Sequence, residues 1–354
     1  MANLEKRNTV TMHVKRLCYL SRNYRESRSA GSKAKQDYED ILTSMGAVNL
    51  GMTRTHHSNK ILTFILNLMG VVRSCLSLRQ GDMLVLQYPV KKYFTLLCHA
   101  AKHRGATTVA LIHDLGSFRR KKLTVEQEIA RLGKVDHVIA TNATMAEWLK
   151  QQGLNKPILA LGLHDYLSSA PLPEINNHRN PGPWRIAYAG TLRSRKNSFI
   201  QSYAAIIEGY ELHVFGKESK EDPIPDSTHV IKHGFVEPDE FMTSNGCDFG
   251  LVWDGDSIDC CSGPFGEYLK YNTPHKLSLY LRAGLPVIVW SQSAVAPLIT
   301  SLGIGITIDS LKDLCEKINS LDDHQITSLQ STVDKVADDI ANGRFLKTAL
   351  HQLM

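Results

Sequence analysis

Short apolar segments alternate along the chain with amphipathic ones, and polar loops separate them. Several apolar segments are continuous runs, which is typical of parallel strands that are covered on both faces. The segments that predict strands are 12–20, 83–89, 108–114, 137–142, 185–190, 211–216, 229–235, 248–254 and 285–290. Those that predict intervening helices include 33–45, 125–132, 145–152 and 198–208. This alternation predicts an α/β protein with doubly wound sheets and right-handed crossovers.

A polar, proline-rich segment divides this pattern into halves of nearly equal size. The stretch between Leu163 and Trp184 reads HDYLSSAPLPEINNHRNPGP and has almost no periodic apolar signal. We predict a linker here, with a first domain at 1–168, a second at 169–335 and a terminal helix at 336–354 that can cross back. Two such halves enclose a cleft, and ligands of open α/β sheets bind outside the carboxyl ends of the strands.

The longest apolar stretch is ILTFILNLMGVV, at 61–72. It is too short to span a bilayer, so it predicts a buried helix, with a helix lying on a membrane surface as the alternative. No signal-peptide pattern precedes it, because charged residues interrupt the apolar runs of the first twenty residues.

Composition and charge narrow the class of protein. The chain has 354 residues, 43% of them hydrophobic and 21% charged, which excludes a disordered or collagen-like protein. A net charge of +6 is too small for a nucleic-acid coat, so no nucleic-acid partner is expected, but it suits an anionic substrate or an acidic membrane surface. The seven cysteines are scattered without a CxxC pair, which favours a reduced cytosol over secretion or structural zinc.

Basic residues gather at three expected helix starts that follow strands. In SAGSKAK, Gly31 allows a tight turn and Ser32 is the predicted N-cap, but the GxGxxG fingerprint of NAD enzymes is absent. In NTPHK, Thr273 is the predicted N-cap, which places Lys276 in the first helical turn. The loop AGTLRSRKNSFI carries Arg193, Arg195 and Lys196. Each loop alone is equally compatible with solvated cations, but together they favour a diphosphate at helix N-termini.

The second half resembles the nucleotide-binding domain of GT-B fold glycosyltransferases, on the segments RIAYAG, ELHVFG, CDFGLV and PHKLSLYLRAGLPVIVW. The nearest likeness is to the bacterial β-1,6-galactofuranosyltransferase family and to related glucosyltransferases that extend a protein-linked GlcNAc. The SAGSKA and IHD segments extend the resemblance to nearly the whole chain. It implies the GT-B fold, in which two doubly wound Rossmann-like domains face each other across a cleft.

In such enzymes the nucleoside diphosphate lies against the second domain and the acceptor against the first. The resemblance implies that Arg193 and Lys276 neutralise the diphosphate and that Phe235 stacks on the uracil, although a core position is equally open to Phe235. Which of the three basic residues of the 193–197 loop contacts phosphate is left open. The other residues assigned to the donor pocket are Gly31, Ser32, Gly190, Thr191, Tyr271, Asn272 and His275.

The implied reaction is transfer of a hexose (galactofuranose, glucose or galactose) from a UDP-sugar to a hydroxyl of a glycan, in surface polysaccharide or glycoprotein glycan synthesis. Fixed cations stabilise the leaving diphosphate without a metal. If configuration inverts, the acceptor hydroxyl loses its proton to a base. Asp114, at the end of strand 108–114, is the expected base, with His113 as the alternative. The competing hypothesis is a catalytically silent GT-B subunit that binds a glycan or an active transferase.

No metal or other cofactor is expected. Asp254 and Asp256 form a D-x-D pattern like the metal site of another glycosyltransferase class, but so short a pattern arises easily by chance. The segment 254–273 predicts a functional loop or lid. We expect a cytoplasmic protein. Three points are left open: peripheral contact with the inner face of the membrane, a lipid-linked acceptor and a homo-oligomer. The basic run 119–122 is the candidate for contact with phospholipid.

Overall fold

The computed structural model describes residues 14–24, 30–89, 93–119, 123–173, 182–221 and 223–354, which contain two six-stranded parallel sheets. The first sheet has the order β2-β1-β3-β4-β5-β6. Its strands are β1 (Arg16–Tyr19), β2 (Val48–Asn49), β3 (Asp82–Tyr88), β4 (Thr107–Ile112), β5 (His137–Ala140) and β6 (Ile158–Ala160). The helices among them are α1 (Ala30–Ser44), α2 (Lys60–Ser77), α3 (Phe94–His103), α4 (Gly116–Arg119), α5 (Val125–Leu132) and α6 (Ala143–Gln151).

The second sheet has the order β12-β11-β10-β7-β8-β9. Its strands are β7 (Trp184–Ala189), β8 (Tyr210–Phe215), β9 (Val230–Gly234), β10 (Phe249–Val252), β11 (Val287–Trp290) and β12 (Gly305–Ile308). The helices of this half are α7 (Ser194–Asn197), α8 (Phe199–Tyr203), α9 (Pro238–Ser244), α10 (Gly263–Gly266), α11 (His275–Arg282), α12 (Ala296–Leu302), α13 (Leu314–Asn319) and α14 (Asp323–Ala341). A last helix, α15 (Arg344–His351), follows them.

Both sheets are covered on both faces, which explains their continuous apolar strands. Successive residues of a strand point to opposite faces, so Met83 and Val85 of β3 pack in one core cluster and Leu84 and Leu86 in another. All seven residues of β3 are buried. The doubly wound α/β architecture predicted from the sequence is therefore confirmed.

The predicted strands are confirmed at nearby bounds, although residues 12 and 13 lie outside the described part of the chain. The structure adds three short strands, β2, β6 and β12. The predicted helix at 198–208 is wrong in length: α8 has five residues, and a turn after it brings Ile207 into the core. The predicted loop at 254–273 contains α10 and a 3₁₀ turn at Glu267–Lys270.

The prediction that segment 61–72 is buried is wrong. This segment belongs to α2, of which only Gly70, Val71 and Ser74 are buried. Its apolar residues run almost all round the helix, so the sequence did not show which face would contact the sheet. The opposite face is exposed and apolar.

Two parts of the chain cross between the halves. The first begins where the linker was predicted, and its residues His164, Asp165 and Tyr166 are buried. The second crossing follows α14, which packs on the second sheet, and leads to α15, which packs on α1 and the first sheet. The expected boundary at residue 335 lies inside α14, and the chain turns at Gly343, whose φ is +69°.

Candidate active site

The carboxyl edge of the first sheet contacts the segment that precedes α11. Asn142, after β5, donates from Nδ2 to the Tyr271 carbonyl and to Thr273 Oγ1, both at 3.1 Å. The Leu115 amide, after β4, donates to the Tyr268 hydroxyl at 2.9 Å. Thr273 is therefore held between the halves. The prediction that Thr273 caps α11 is wrong, because Pro274 stands at the N-cap.

Tyr271 belongs to this contact. Its ring lies 4.7 Å from that of Phe118 and 5.8 Å from that of Trp148, centroid to centroid. Both neighbours belong to the first half. The Tyr271 ring therefore joins the two halves by aromatic packing, in addition to any role beside the donor.

Three histidines from different parts of the chain meet at the cleft. His113 follows β4, His164 follows β6, and His275 is the first residue of α11. The rings of His113 and His164 are parallel within 3° at 6.3 Å, and those of His164 and His275 are 5.6 Å apart. The fold thus places two predicted site residues beside His164: His113 from the first half and His275 from the second.

Hydrogen bonds occupy both nitrogens of His164. Its Nε2 lies 3.1 Å from the carbonyl of Thr273, which can only accept, so Nε2 carries the proton. Its Nδ1 therefore accepts from the hydroxyl of Tyr38 on α1, at 2.6 Å. Burial lowers the pKa of His164 to about 4. This neutral imidazole connects the halves and has no nitrogen left for a proton transfer.

His113 has a fixed tautomer with one nitrogen available. Gln87 donates from Nε2 to the carbonyl of Lys35 at 3.0 Å, which turns its Oε1 toward His113 Nε2 at 2.8 Å. Because Oε1 only accepts, His113 Nε2 carries the proton and Nδ1 keeps a lone pair. Burial, together with the charge of Lys35, lowers the pKa of His113 well below its usual value. His113 is thus a neutral, oriented proton acceptor.

Two predicted pocket residues carry buried polar atoms without a partner. His275 Nε2 and Asn272 Oδ1 are enclosed, and neither has a hydrogen bond within the described parts of the chain. An unpaired buried polar atom costs about 1–3 kcal/mol. Burial also lowers the pKa of His275 well below its usual value. These two atoms are suited to bind a polar ligand that enters the cleft.

Lys276 lies one residue further along α11 and faces the second sheet. Its Nζ donates to Asp254 Oδ1 at 2.8 Å and to the Trp253 carbonyl at 3.0 Å, and it lies 4.5 Å above the ring of Tyr188. Lys196 Nζ approaches the same Asp254 oxygen at 3.7 Å. Burial lowers the pKa of Lys276 to about 8. Burial alone would raise the pKa of Asp254, but the charges of Lys196 and Lys276 hold it below its usual value.

The loop after β7 is fastened to this network by Asn197. Its Oδ1 accepts from the Arg193 amide at 2.7 Å, and its Nδ2 donates to the Thr191 carbonyl at 3.0 Å. Gly190, Thr191 and Arg193 are exposed on this loop. Gly190 has a φ of +146°, and its amide donates to the Phe215 carbonyl at 2.9 Å. The side chain of Arg193 is thus exposed to solvent, while hydrogen bonds to Asn197 and Phe215 hold the backbone of the loop.

The remaining predicted residues lie around this centre. Ser32 is the third residue of α1 rather than its N-cap, so that prediction is wrong, and Gly31 precedes it in the helix. Asp114 follows His113 and is half-buried. Phe235 follows the edge strand β9 and is exposed, so it is not a core residue. The side chains of Arg195 and of the basic run 119–122 lie outside the described residues.

Sequence reasoning missed Tyr38, Gln87 and His164. One signal was present: the triplet LHD at 163–165 repeats the IHD at 112–114, and both follow a strand. Tyr38 and Gln87 have no local signal, because their importance comes from the contacts they make across the fold.

The described residues contain no group of three or more His, Cys, Asp or Glu side chains that could hold a metal ion. Of the D-x-D pair, Asp254 is buried against two lysines. A carboxylate whose charge is already balanced in this way is poorly placed to bind a cation.

Solved structures of glycosyltransferases share this fold. The lipopolysaccharide outer core galactosyltransferase WaaB, in its apo form, superposes with a TM-score of 0.58 at 13% identity, over 96% of this chain and all of the other. A structure described as trehalose-6-phosphate from E. coli bound with UDP-2-fluoro glucose has a TM-score of 0.57 at 11% identity, over 96% and 98% of the two chains. These likenesses show the GT-B fold, in which two Rossmann-like domains face each other across a cleft.

Two family models match the chain in order: the N-terminal domain of the glucosyltransferase 3-like family at residues 17–163 and its C-terminal domain at 186–353. The chain belongs to the glucosyltransferase 3-like family. It is also 29% identical, over 340 residues, to the β-1,6-galactofuranosyltransferase WbbI of Escherichia coli K12, covering 92% of this chain and 95% of the relative.

Proposed function

We propose that this chain transfers a hexose from a UDP-sugar to a hydroxyl of a glycan acceptor, with inversion, during the synthesis of a surface polysaccharide or a glycoprotein glycan. The observation that carries the proposal is the start of α11. There Lys276 lies in a cationic network of the second half, while the ring of His275, beside it, lies 5.6 Å from that of His164. A leaving diphosphate and an acceptor hydroxyl need these two environments side by side.

The second half supplies the donor site. Arg193 is exposed on the loop after β7, and Lys276 is the second residue of α11. Both would neutralise the diphosphate, and the orphaned Asn272 Oδ1 and His275 Nε2 would bind hydroxyl groups of the sugar. The names of the family and of its relative support glucose and galactofuranose as the donated hexose. The neighbour bound to UDP-2-fluoro glucose supports uridine diphosphate as the carrier.

The first half supplies the base. In the reaction, the bond between the anomeric carbon and the phosphate oxygen breaks, and the acceptor oxygen bonds to that carbon from the opposite face. The acceptor proton passes to the lone pair of His113 Nδ1, because Gln87 fixes the proton of this imidazole on Nε2. The fixed tautomer favours His113 over Asp114 as the base, which reverses the order in which the sequence ranked them.

The proposed reaction needs no metal, because lysine and arginine side chains take the charge of the leaving group. Turnover should be the same after dialysis against EDTA as before it. Loss of turnover in EDTA that manganese or magnesium restores would contradict this part of the proposal and would bring Asp256 back as a ligand.

The test of the function is UDP release that depends on an acceptor. The chain is incubated with UDP-galactofuranose, UDP-glucose or UDP-galactose, with and without a GlcNAc-terminated or galactose-terminated glycan. We expect one donor to give UDP release that the acceptor increases at least about tenfold over hydrolysis. Glycan binding without release from any donor would contradict the proposal and favour the silent subunit.

A further inference from the structure

Helix α2 exposes a continuous apolar face. Ile61, Ile65, Leu68, Val72 and Leu76 follow one another at intervals of three or four residues, so they form one stripe along the helix. Their exposed fractions range from 37% to 72%. Leu62, Phe64 and Met69 widen the stripe on both sides. An 18-residue helix is about 27 Å long, and an apolar patch of this size marks an interaction surface.

The same region carries the excess positive charge of the chain. Residues 41–113 contain eight Lys and Arg but a single acidic residue, Asp82. Asp82 is buried and paired with Arg16 at 2.6 Å. The segment therefore has a net charge of +7, whereas the rest of the chain, with 33 Lys and Arg and 34 Asp and Glu, has −1.

A cavity of about 540 Å³ opens beside the C-terminal end of the stripe. Arg16, Arg73, Arg79 and Arg104 line it, together with Leu76. Arg16 is engaged by Asp82, and Arg73 donates to the carbonyl of Gly51. Arginine binds phosphate through planar, paired hydrogen bonds, so a cavity with four guanidinium groups beside an apolar stripe is suited to a phosphate attached to an apolar chain.

We propose that α2 lies on an anionic phospholipid bilayer, with its apolar stripe in the boundary between headgroups and acyl chains and a lipid phosphate in the arginine cavity. The charge argues for lipid rather than for a second copy of the chain. A symmetric pair of α2 faces would bring two sets of the cavity arginines Arg73, Arg79 and Arg104 together, and like charges across an interface oppose association.

The start of α2 lies at the rim of the cleft. Asn23, in the loop after β1, donates from its backbone amide to Asn67 Oδ1 at 3.0 Å and from its side-chain Nδ2 to Thr63 Oγ1 at 2.8 Å. Binding of α2 to a membrane therefore places the first-half rim of the cleft at the bilayer surface. If the proposed function holds, an acceptor carried by a lipid reaches the cleft from that surface; the docking itself does not depend on it.

The test is flotation of the full chain with vesicles of phosphatidylcholine alone and with vesicles that contain about one-third phosphatidylglycerol. We expect binding to the anionic vesicles, and weaker binding at high salt. The affinity of the triple variant Ile65→Ser, Leu68→Ser, Val72→Ser for the anionic vesicles should be lower than that of the parent by about tenfold or more. The matched control is Leu172→Ser, Ile206→Ser, Leu302→Ser, which removes exposed apolar side chains elsewhere and should bind as the parent does.

A second pair of variants tests the cavity. Arg79→Gln with Arg104→Gln should lower binding to the anionic vesicles about tenfold and leave binding to neutral vesicles unchanged. Lys217→Gln with Lys317→Gln removes the same charge from the second half and should have little effect. Thermal unfolding of each variant shows whether its fold is intact.

Two results would overturn the proposal. One is failure of the parent chain to float with anionic vesicles. The other is a dimer in sedimentation velocity, without vesicles, that the α2 triple variant converts to a monomer, since the stripe would then be an interface between copies. UDP binding, measured in parallel, should be the same in all these variants, so failure of docking is distinguishable from failure of the proposed function.

Discussion

The two sheets differ in where their strand order reverses. In the second sheet the reversal lies between β7 and β10, and the segments after these strands carry Lys196, in α7, and Asp254. This is the switch point at which open α/β sheets bind ligands. In the first sheet the reversal lies between β1 and β3, but His113 and His164 follow β4 and β6. The two faces of the cleft therefore rest on different parts of their sheets.

The faces also differ in how burial acts on their titratable groups. On the first face, burial lowers the pKa of His113 and His164, so both imidazoles are neutral at physiological pH. On the second face, burial lowers the pKa of Lys276 only to about 8, because Asp254 supports its charge. One face thus offers a neutral proton acceptor and the other a fixed cation.

The largest expected effect concerns the first face. His113→Gln removes the proton acceptor and should lower kcat about 10²–10⁴-fold, the usual size of general-base catalysis. Asp114→Asn should have a much smaller effect. The measurement is kcat for both variants with one donor and acceptor, with the Kd for UDP as the control, which should not change for either. A collapse for Asp114→Asn beside normal turnover for His113→Gln would assign the base to the carboxylate.

The second face is tested by Lys276→Met. Loss of this cation leaves Asp254 buried with only Lys196 nearby, so the free energy of unfolding should fall by about 3 kcal/mol. UDP binding should weaken by about 1.5–3 kcal/mol, as for a lost charged hydrogen bond. Denaturant unfolding and calorimetry measure the two effects.

Two further variants separate the roles of Lys276. Addition of Asp254→Asn should restore most of the stability but not the UDP affinity. Lys270→Met removes a surface lysine paired with Glu267 and should change stability by less than about 1 kcal/mol. Full UDP affinity in the stable double variant would remove Lys276 from the donor site.

The pH dependence of UDP binding sharpens the contrast between the faces. Lys276 binds a diphosphate in its charged form, so the affinity should be full below a pH of about 8 and fall as the pH rises through that value. Between about pH 7 and about pH 9 the loss should be about tenfold. Lys276→Arg should flatten the profile, because arginine stays charged. A parent profile that is equally flat would mean that Lys276 does not bind the phosphates.

The smallest expected effect concerns the connection between the faces. Tyr38→Phe removes the hydroxyl that donates to His164 Nδ1 and should lower the free energy of unfolding by about 1–2 kcal/mol. Tyr19→Phe, which loses a hydrogen bond to Thr43 within the first half, is the matched control and should cost less. Equal costs would show that the His164 bridge adds no stability of its own.

The alternation of strands and helices was predictable because buried parallel strands need continuous apolar runs. Strand β2 was not, since two residues carry no pattern. The exposure of α2 was not predictable either, because a helix with apolar residues all round does not show which face the sheet covers. The basic residues at expected helix starts predicted Lys276 as a site residue. Nothing in the sequence placed it against Asp254, which lies twenty-two positions earlier.

The candidate site was predictable only where chemistry and strand ends coincide, as at His113. The choice between His113 and Asp114 depends on Gln87, whose amide is oriented by the carbonyl of Lys35. That orientation exists only once α1 packs beside β3. The tautomer of a histidine is therefore a tertiary property and cannot be inferred from its neighbours in sequence.

The two crossings between the halves lie side by side. Asp165, in the first crossing, accepts hydrogen bonds from the amides of Phe345 and Leu346, in the second, at 3.1 and 2.8 Å. The Tyr166 amide also donates to the carbonyl of Ile340. These two bonded connections restrain the halves at this place, in addition to the contacts that Tyr271 and Thr273 make with the first half. Sliding of one half past the other is opposed there, whereas rotation about that place changes the width of the cleft most at the edge farthest from Asp165.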